Sequence, residues 1–428
     1  MPFTKEHGLI TLIGMSDHLS RPKTTLNRVP PNVSVQSAGN PNLLPHMSKR
    51  SVIRVIQQHG PCSRADVTRR LNVTAPTVSK AVAALMQGNF VEEFECKDNA
   101  IGRPAKRLRL ATQTAQVLGL VLDASECRLV SAGIDGEVHR DSLMRFETPQ
   151  TYGELISTVT ERAQQFLRRK GVTTLGLGIS IPGLVDYREQ KGLLSPNLPI
   201  TNGQSPARDL RNALGCECVM LQEAHALCAA ERHYGDIQKL ADFAILDVST
   251  GLGLGVVSGG RVITGHKGLA GEIGHIPHDP NGRLCGCGNR GCLETVASDS
   301  ALAWMISQRI GRDVAIEEVL SLTDANELSP EPELQRVLSR ISFALTTVIN
   351  LFNPSTLFIY GRLFELSEDS FDRLLAETGQ NALAPALADC QIMRTRRSKS
   401  QGAIAGVLEH LTDSLVPSAD SFLSYLHK

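Results

Sequence analysis

Three thiols and an imidazole fall within eighteen residues of this chain, at His275, Cys285, Cys287 and Cys292, and together they could close a four-coordinate metal site. Zinc takes thiolate sulfur and imidazole nitrogen in tetrahedral geometry, and a site with four protein ligands is structural, leaving no position for a catalytic water. Glycines at 286, 288 and 291 let the backbone turn three sulfurs toward one point. Four other readings compete: unrelated free thiols, a disulfide, a redox pair, or an iron–sulfur cluster. The Cys285-x-Cys287 spacing strains a disulfide. The apolar run at 9–13 is too short for an export signal and lacks a small-residue cleavage site, so reduced cysteines and a cytoplasmic location are expected.

The chain that must position this cluster has 428 residues and 42% hydrophobic content, enough for two to four folded domains. No apolar stretch reaches the roughly 20 residues a membrane helix needs, so no membrane insertion is expected. Net charge is zero but unevenly placed. Residues 48–112 hold twelve Lys/Arg against five Asp/Glu, or +7; residues 1–47 carry +2, which leaves −9 for residues 113–428. A basic module on an acidic body suits a nucleic-acid-binding head, with a solvated basic face as the plainer alternative.

Residues 1–47 are rich in Pro, Ser, Asn and Thr without sustained periodicity and read as a flexible leader. From 48 onward Val52, Val55, Ile56 and His59 recur at helical spacing up to Gly60-Pro61. Ser63-Arg-Ala-Asp66 reads as a capping box opening a second helix that ends at Asn72. A third begins at Thr74-Ala-Pro76, with Val78, Ala81, Val82 and Leu85 as its apolar stripe. This is a helix-turn-helix whose last helix would enter the major groove, presenting Thr74, Thr77, Ser79 and Lys80, with Arg64 nearby. Strands around Phe90–Phe94 and Lys106–Leu110 form a wing, and Arg103 at its tip could reach a minor groove. Operator DNA is the implied partner.

From 113 a buried strand, a second strand, a helix at 155–167 and a strand ending at Pro182-Gly183 are followed by a second set: strands at 243–248 and 253–258, later helices, and a strand at 356–360. Strand hairpins followed by helix-strand units, occurring twice, predict a two-lobed α/β body with a cleft between the lobes, divided as 113–240 and 241–428, the latter with the cysteine loop and the C-terminal helices.

These residues resemble the ROK family (repressors, open reading frames and sugar kinases), on its NagC/Mlc-type repressor branch with an N-terminal winged helix. The resemblance rests on Gly268-Leu-Ala-Gly-Glu272-Ile-Gly-His275 joined to Cys285-Gly-Cys287-Gly-x-x-Gly-Cys292-Leu-Glu294, and on Ile181-Pro-Gly183 followed by Pro196-Asn197-Leu198. It implies an actin/hexokinase-like (ribonuclease H-like) body and a Zn2+ ion on His275, Cys285, Cys287 and Cys292. It also implies a sugar or sugar phosphate between the lobes, met by Asn197, Gln222, Glu223, Glu272, His275 and Glu294. Forked carboxylates and amides suit vicinal hydroxyls.

Departures from the family pattern separate regulator from enzyme. The kinases' glycine-rich Asp-x-Gly-Gly-Thr turn corresponds here to Asp123-Ala-Ser-Glu126-Cys127, where Glu126 would repel phosphate. Their Asn-Asp pair, with Asp as general base, appears as Gln222-Glu223, a vestigial base on a longer arm. The turn Ser249-Thr250-Gly251-Leu-Gly253 survives, whereas a later Gly-Gly has become Gly361-Arg362. The expectation is a sugar-responsive DNA-binding regulator without enzymatic activity, more a repressor than an activator, acting as a homodimer or homotetramer. The alternatives are a sugar kinase with an appended DNA-binding head, and a regulator controlled by a partner such as a sugar-transport protein.

Overall fold

The computed structural model describes residues 44–96, 105–235 and 241–413. Helix α1 (Leu44–His59) turns Val52, Ile53, Val55 and Ile56 inward and starts ahead of the boundary expected at 48. The capping box before α2 (Arg64–Leu71) is formed: Ser63 Oγ accepts from Asp66 N at 3.1 Å, and Asp66 Oδ2 accepts from Ser63 N at 3.0 Å. Asn72 closes α2 in the left-handed region with φ 51°, which Asn tolerates better than most residues. Helix α3 (Ala75–Gln87) carries Pro76 in its first turn and buries the stripe Val78, Ala81, Val82 and Leu85. Strands β1 (Val91–Cys96) and β2 (Ala105–Leu110) pair antiparallel as the wing, and Cys62 bridges to Leu108. The wing tip with Arg103, and nearly all of the leader, lie outside the described residues.

The body begins with β3 (Ala115–Val121), β4 (Glu126–Gly133), β5 (Met144–Glu147), α4 (Tyr152–Leu167) and β6 (Thr173–Ile181). A small hairpin, β7 (Leu184–Asp186) and β8 (Lys191–Leu194), precedes α5 (Pro206–Leu214), β9 (Glu217–Gln222) and α6 (Glu223–Tyr234). Next come β10 (Phe243–Asp247), β11 (Gly253–Ser258), β12 (Arg261–Val262), α7 (Asp299–Ile310), α8 (Ile316–Asp324) and α9 (Glu331–Phe352). The chain continues through β13 (Thr356–Tyr360), α10 (Ser370–Asn381), α11 (Ala384–Ala388) and β14 (Gln391–Arg394) to α12 (Lys399–Asp413).

The two sheets have one topology. The first is ordered β5-β4-β3-β6-β9 and the second β12-β11-β10-β13-β14, each with two antiparallel pairings followed by two parallel ones. The doubled theme read from the sequence is therefore a duplicated fold.

One boundary needs correction. Helix α6, expected to close the first lobe, packs on the second sheet, where Leu227 and Cys228 cluster with Phe243, Ile245, Val257 and Phe358. Helix α12, expected in the second lobe, returns to the first sheet, where Ile404 and Val407 cluster with Val117 and Val130. The reason is coverage: α4 and α5 protect only one face of the first sheet, through Leu118, Leu120, Val159 and Leu210, and the other face needs an apolar helix. The seat is close, for a Cβ on Gly178 of β6 would collide with the Ala403 carbonyl. A Cβ on Gly402 would likewise meet the Ala226 carbonyl, so α12 lies wedged between the first sheet and α6.

The DNA-binding head shares this core. Ile53, Leu85, Leu108 and Leu110 belong to the same cluster as Val117, Ala132, Val407 and Leu411. Each fully buried side chain of this size contributes about 2 kcal/mol by removal from water. The head is thus built onto the first lobe by packing.

Candidate functional site

The cysteine loop folds on itself through bridges at Pro277–Cys292 and Leu284–Arg290, with Gly288 and Gly291 at φ 95° and 65°. Its four candidate ligand atoms all lie within 4.8 Å of one another. Cys287 Sγ stands 3.7 Å from Cys292 Sγ, and Cys285 Sγ stands 3.6 Å from His275 Nδ1. A tetrahedral ion with metal–sulfur bonds of about 2.3 Å has sulfur–sulfur edges of about 3.8 Å. The cysteines are free thiols, and three sulfurs with one imidazole nitrogen form a donor set that fits zinc.

Around this loop the sequence-predicted ligand residues converge. With Nδ1 turned to the thiols, His275 Nε2 stands 3.8 Å from Glu272 Oε2. Glu272 Oε1 accepts a hydrogen bond from Gln222 Nε2 at 2.9 Å. Burial pushes the Glu272 carboxyl up, while the Gln222 bond pulls the other way. Glu294 Oε2 accepts from Leu252 N at 3.1 Å, and its other oxygen lies 3.6 Å from Cys285 Sγ. A Cβ on Gly251 would sit 2.5 Å from Glu294 Oε2 and 3.7 Å from Asn197 Nδ2, which brings Asn197 to the same place. The loop also leans on that segment, since a Cβ on Gly286 would sit 2.5 Å from Pro196 Cβ.

Glu223, next to Gln222, is engaged by a buried lysine. At the start of α6 its Oε1 lies 2.6 Å from Lys399 Nζ, which also meets Asp247 Oδ2 at 3.1 Å and Ser249 Oγ at 2.9 Å. Lys399 is only 3% exposed, and burial works against its charge; Asp247 and Glu223 outweigh that and hold it well above the ordinary lysine value. Two carboxylates against one ammonium leave an excess negative charge, and burial pushes the Glu223 carboxyl up to about 7 against the pull of Lys399. A lysine at the head of a distant helix has no spacing signal, and the sequence reading missed it. It also missed Tyr187, whose hydroxyl accepts from Gln222 N at 2.9 Å and shares a hydrogen bond of 2.6 Å with His225 Nδ1, fixing the backbone beside Gln222 and Glu223.

The opposite end of the cleft, about 990 Å³, is lined by Ser125, Glu126, Thr250, Asp299, Trp304 and Arg362 among others. Here one or two amides in each of the three turns corresponding to the kinases' phosphate turns donate to a carboxylate. Ala124 N donates to Asp123 Oδ1 at 2.7 Å, and Ser249 N to Asp247 Oδ1 at 3.0 Å. Arg362 N and Leu363 N donate to Asp299 at 2.8 and 2.9 Å. Asp299 is buried, which pushes its carboxyl up to about 7. Glu126, expected to repel phosphate, is paired with Arg145 at 2.7 Å, which offsets its charge.

On the head, Thr74 and Lys80 are exposed, and Thr77 and Ser79 partly so. Thr74 and Thr77 hydroxyls bond to each other at 2.8 Å on the first turn of α3. Arg64 is committed within the head: Nη2 lies 2.7 Å from Glu93 Oε1 and ties α2 to the wing.

The family model described as ROK family matches residues 126–412, and a model described as winged helix-turn-helix DNA-binding matches residues 48–92. The chain belongs to the ROK family. This ROK chain is 25% identical over 340 residues to the DNA-binding transcriptional dual regulator NagC of Escherichia coli K12, covering 76% of this chain and 83% of NagC. It is 24% identical over 372 residues to the xylose repressor of Bacillus subtilis 168, covering 81% and 94%. Among solved structures, a ROK family transcriptional regulator described as a homologue of the E. coli Mlc protein superposes with TM-score 0.73 at 24% identity, covering 86% of this chain and 98% of that one. The ROK hexokinase of Thermus thermophilus gives TM-score 0.57 at 27% identity, covering 70% and 99%. The expected actin/hexokinase-like body with an N-terminal winged helix-turn-helix is thus the fold of this ROK chain. Among the described residues no helix is long and apolar enough to cross a membrane.

Proposed function

We propose that this chain is a cytoplasmic, sugar-responsive transcriptional repressor of carbohydrate-metabolism genes, without kinase activity. The observation that carries it is the contrast inside the cleft: hydroxyl-binding side chains gather at the metal loop, while carboxylates fill the amides of the phosphate turns. An anion entering those turns would meet Asp123, Asp247 and Asp299, where a kinase offers N–H groups. Relatives named as repressors and a head matching DNA-binding winged helices support the same reading.

In this mechanism Asn197, Gln222, Glu223, Glu272, His275 and Glu294 hold a sugar or sugar phosphate between the lobes. His275, Cys285, Cys287 and Cys292 hold zinc, which stiffens the loop that presents Glu272 and Glu294. Thr74, Thr77, Ser79 and Lys80, at the start of α3, contact operator DNA as a homodimer or homotetramer. The effector acts through its different affinities for two lobe arrangements. The test is DNA binding by the purified protein to duplexes selected from a random pool, repeated across a panel of sugars and sugar phosphates. Binding that Lys80→Ala weakens, and that at least one sugar modulates, is the expected result. Identical binding under every sugar, or turnover of ATP with any of them, would remove the proposal.

A further inference from the structure

Lys399 stands where three parts of the molecule meet. It is the first residue of α12, which is seated on the first sheet by close backbone contact at Gly178. Asp247 is the last residue of β10, and Ser249 begins the turn that follows, both in the second sheet. Glu223 is the first residue of α6, the helix packed on that second sheet. The bonds of 3.1 Å to Asp247 and 2.9 Å to Ser249 therefore join one lobe to the other, and the bond of 2.6 Å to Glu223 joins the two crossing helices.

We propose that Lys399 is a positioning residue: a buried latch that ties the lobes together and makes occupancy of Glu223 felt at the second lobe. An ammonium has three N–H donors, and here it has three acceptors, so it is saturated by the protein. A ligand hydroxyl that donates to Glu223 must share an oxygen already bonded to Lys399, or displace it. The pull of Lys399 on Asp247 then changes, although no ligand touches Asp247. Ser249 reinforces the coupling, because its hydroxyl accepts from Lys399 and donates to Asp247 Oδ1 at 2.5 Å.

Helix α6 carries the change away from the cleft. Its twelve residues span about 18 Å at 1.5 Å per residue. At its far end the Tyr234 hydroxyl donates to Gly136 O at 2.8 Å, while Arg232 bonds Glu409 at 2.7 Å and Gly260 O at 3.3 Å. Arg232 and His233 there border a crevice of about 530 Å³, whose opposite wall is Ile53, Arg54, Gln57 and Gln58 of α1 in the head. Rotation of α6 about its latched end alters the support of the helix on which the winged head is built.

The latch arm of this proposal stands on the protein alone; only its ligand arm rests on the sugar site proposed above. The test is amide hydrogen exchange on the ligand-free full chain, comparing wild type with Lys399→Met, Lys399→Arg and Asp247→Asn at equal metal content. Lys399→Met should speed exchange about tenfold or more at the start of α6 and in the 248–254 turn, with β3 and β6 unchanged, and Lys399→Arg should restore protection. Unchanged exchange in Lys399→Met would overturn the latch, and failure of Lys399→Arg to restore it would reduce Lys399 to a packing role. If Lys399→Met does not fold, Asp247→Asn removes the cross-lobe ion pair while leaving Glu223 and Ser249 on Lys399, and unchanged exchange there overturns the proposal equally. With D-xylose or N-acetylglucosamine as probe, Lys399→Met should bring the ratio of DNA affinities with and without sugar close to one. A wild type that ignores these two and every other sugar of the panel removes the effector reading, while the exchange result still decides the latch.

Discussion

The two ends of one cleft differ in what their acidic groups do. At the cysteine loop, Glu272 accepts from the Gln222 side chain and Glu294 from the Leu252 amide. At the far end, Asp123, Asp247 and Asp299 turn back onto the chain's own amides and fill them. Carboxylates are thus proposed to recognise a ligand at one end, through glutamates, while at the other aspartates turn back on the chain. Glu294 itself takes the Leu252 amide of the second of the phosphate turns, so the two roles meet there.

The largest effect should come from the metal loop. Cys287→Ser should abolish zinc binding as measured by elemental analysis and lower the melting temperature, because structural zinc sites contribute on the order of 10 kcal/mol to local folding. Retained metal with unchanged melting would break the zinc assignment.

His225 offers the next test. Desolvation holds its imidazole down at about 4, so it stays neutral in the folded chain, whereas the unfolded chain takes up a proton near 6.5. The unfolded state therefore binds more protons between those values, and stability falls as the pH drops through that window. At about 1.4 kcal/mol per pH unit the loss reaches about 3 kcal/mol. In His225→Gln, denaturant titrations at pH 7 and pH 4.5 should differ by correspondingly less than in wild type; equal losses would discard this origin.

Glu272→Gln should weaken sugar binding about 10- to 100-fold, the worth of one charge-assisted hydrogen bond, with DNA binding in the absence of sugar retained. The single tryptophan, Trp304, lines the phosphate end of the cleft and gives the readout for the smallest expected effect. Millimolar ATP should leave its fluorescence unchanged. A saturable change at micromolar ATP would erase the contrast between the two ends.

How much was legible in the sequence follows from how local each feature is. The head was readable because its signals lie within one or two turns: the Ser63–Asp66 box, Pro76, and the stripe from Val78 to Leu85. The clustering of His275, Cys285, Cys287 and Cys292 was readable because the four crowd into one segment, and Glu272 and Glu294 lie in the motifs beside it. The destinations of α6 and α12 were not readable, since an apolar helical face does not state which sheet it will cover. Lys399 and Glu223 are 176 residues apart, and Asp299 caps amides 63 and 64 residues away. No periodicity links such pairs; only the closed duplicated fold brings them together.

The core shared by the winged head and the first lobe bears on how such regulators can be recombined. Leu108 and Leu110 of the wing pack in one cluster with Val407 and Leu411 of the last helix, so a head transplanted from another repressor brings a surface fitted to a different final helix. A working chimera would have to carry both ends of the chain together, the first hundred or so residues and the closing helix, as one inherited piece.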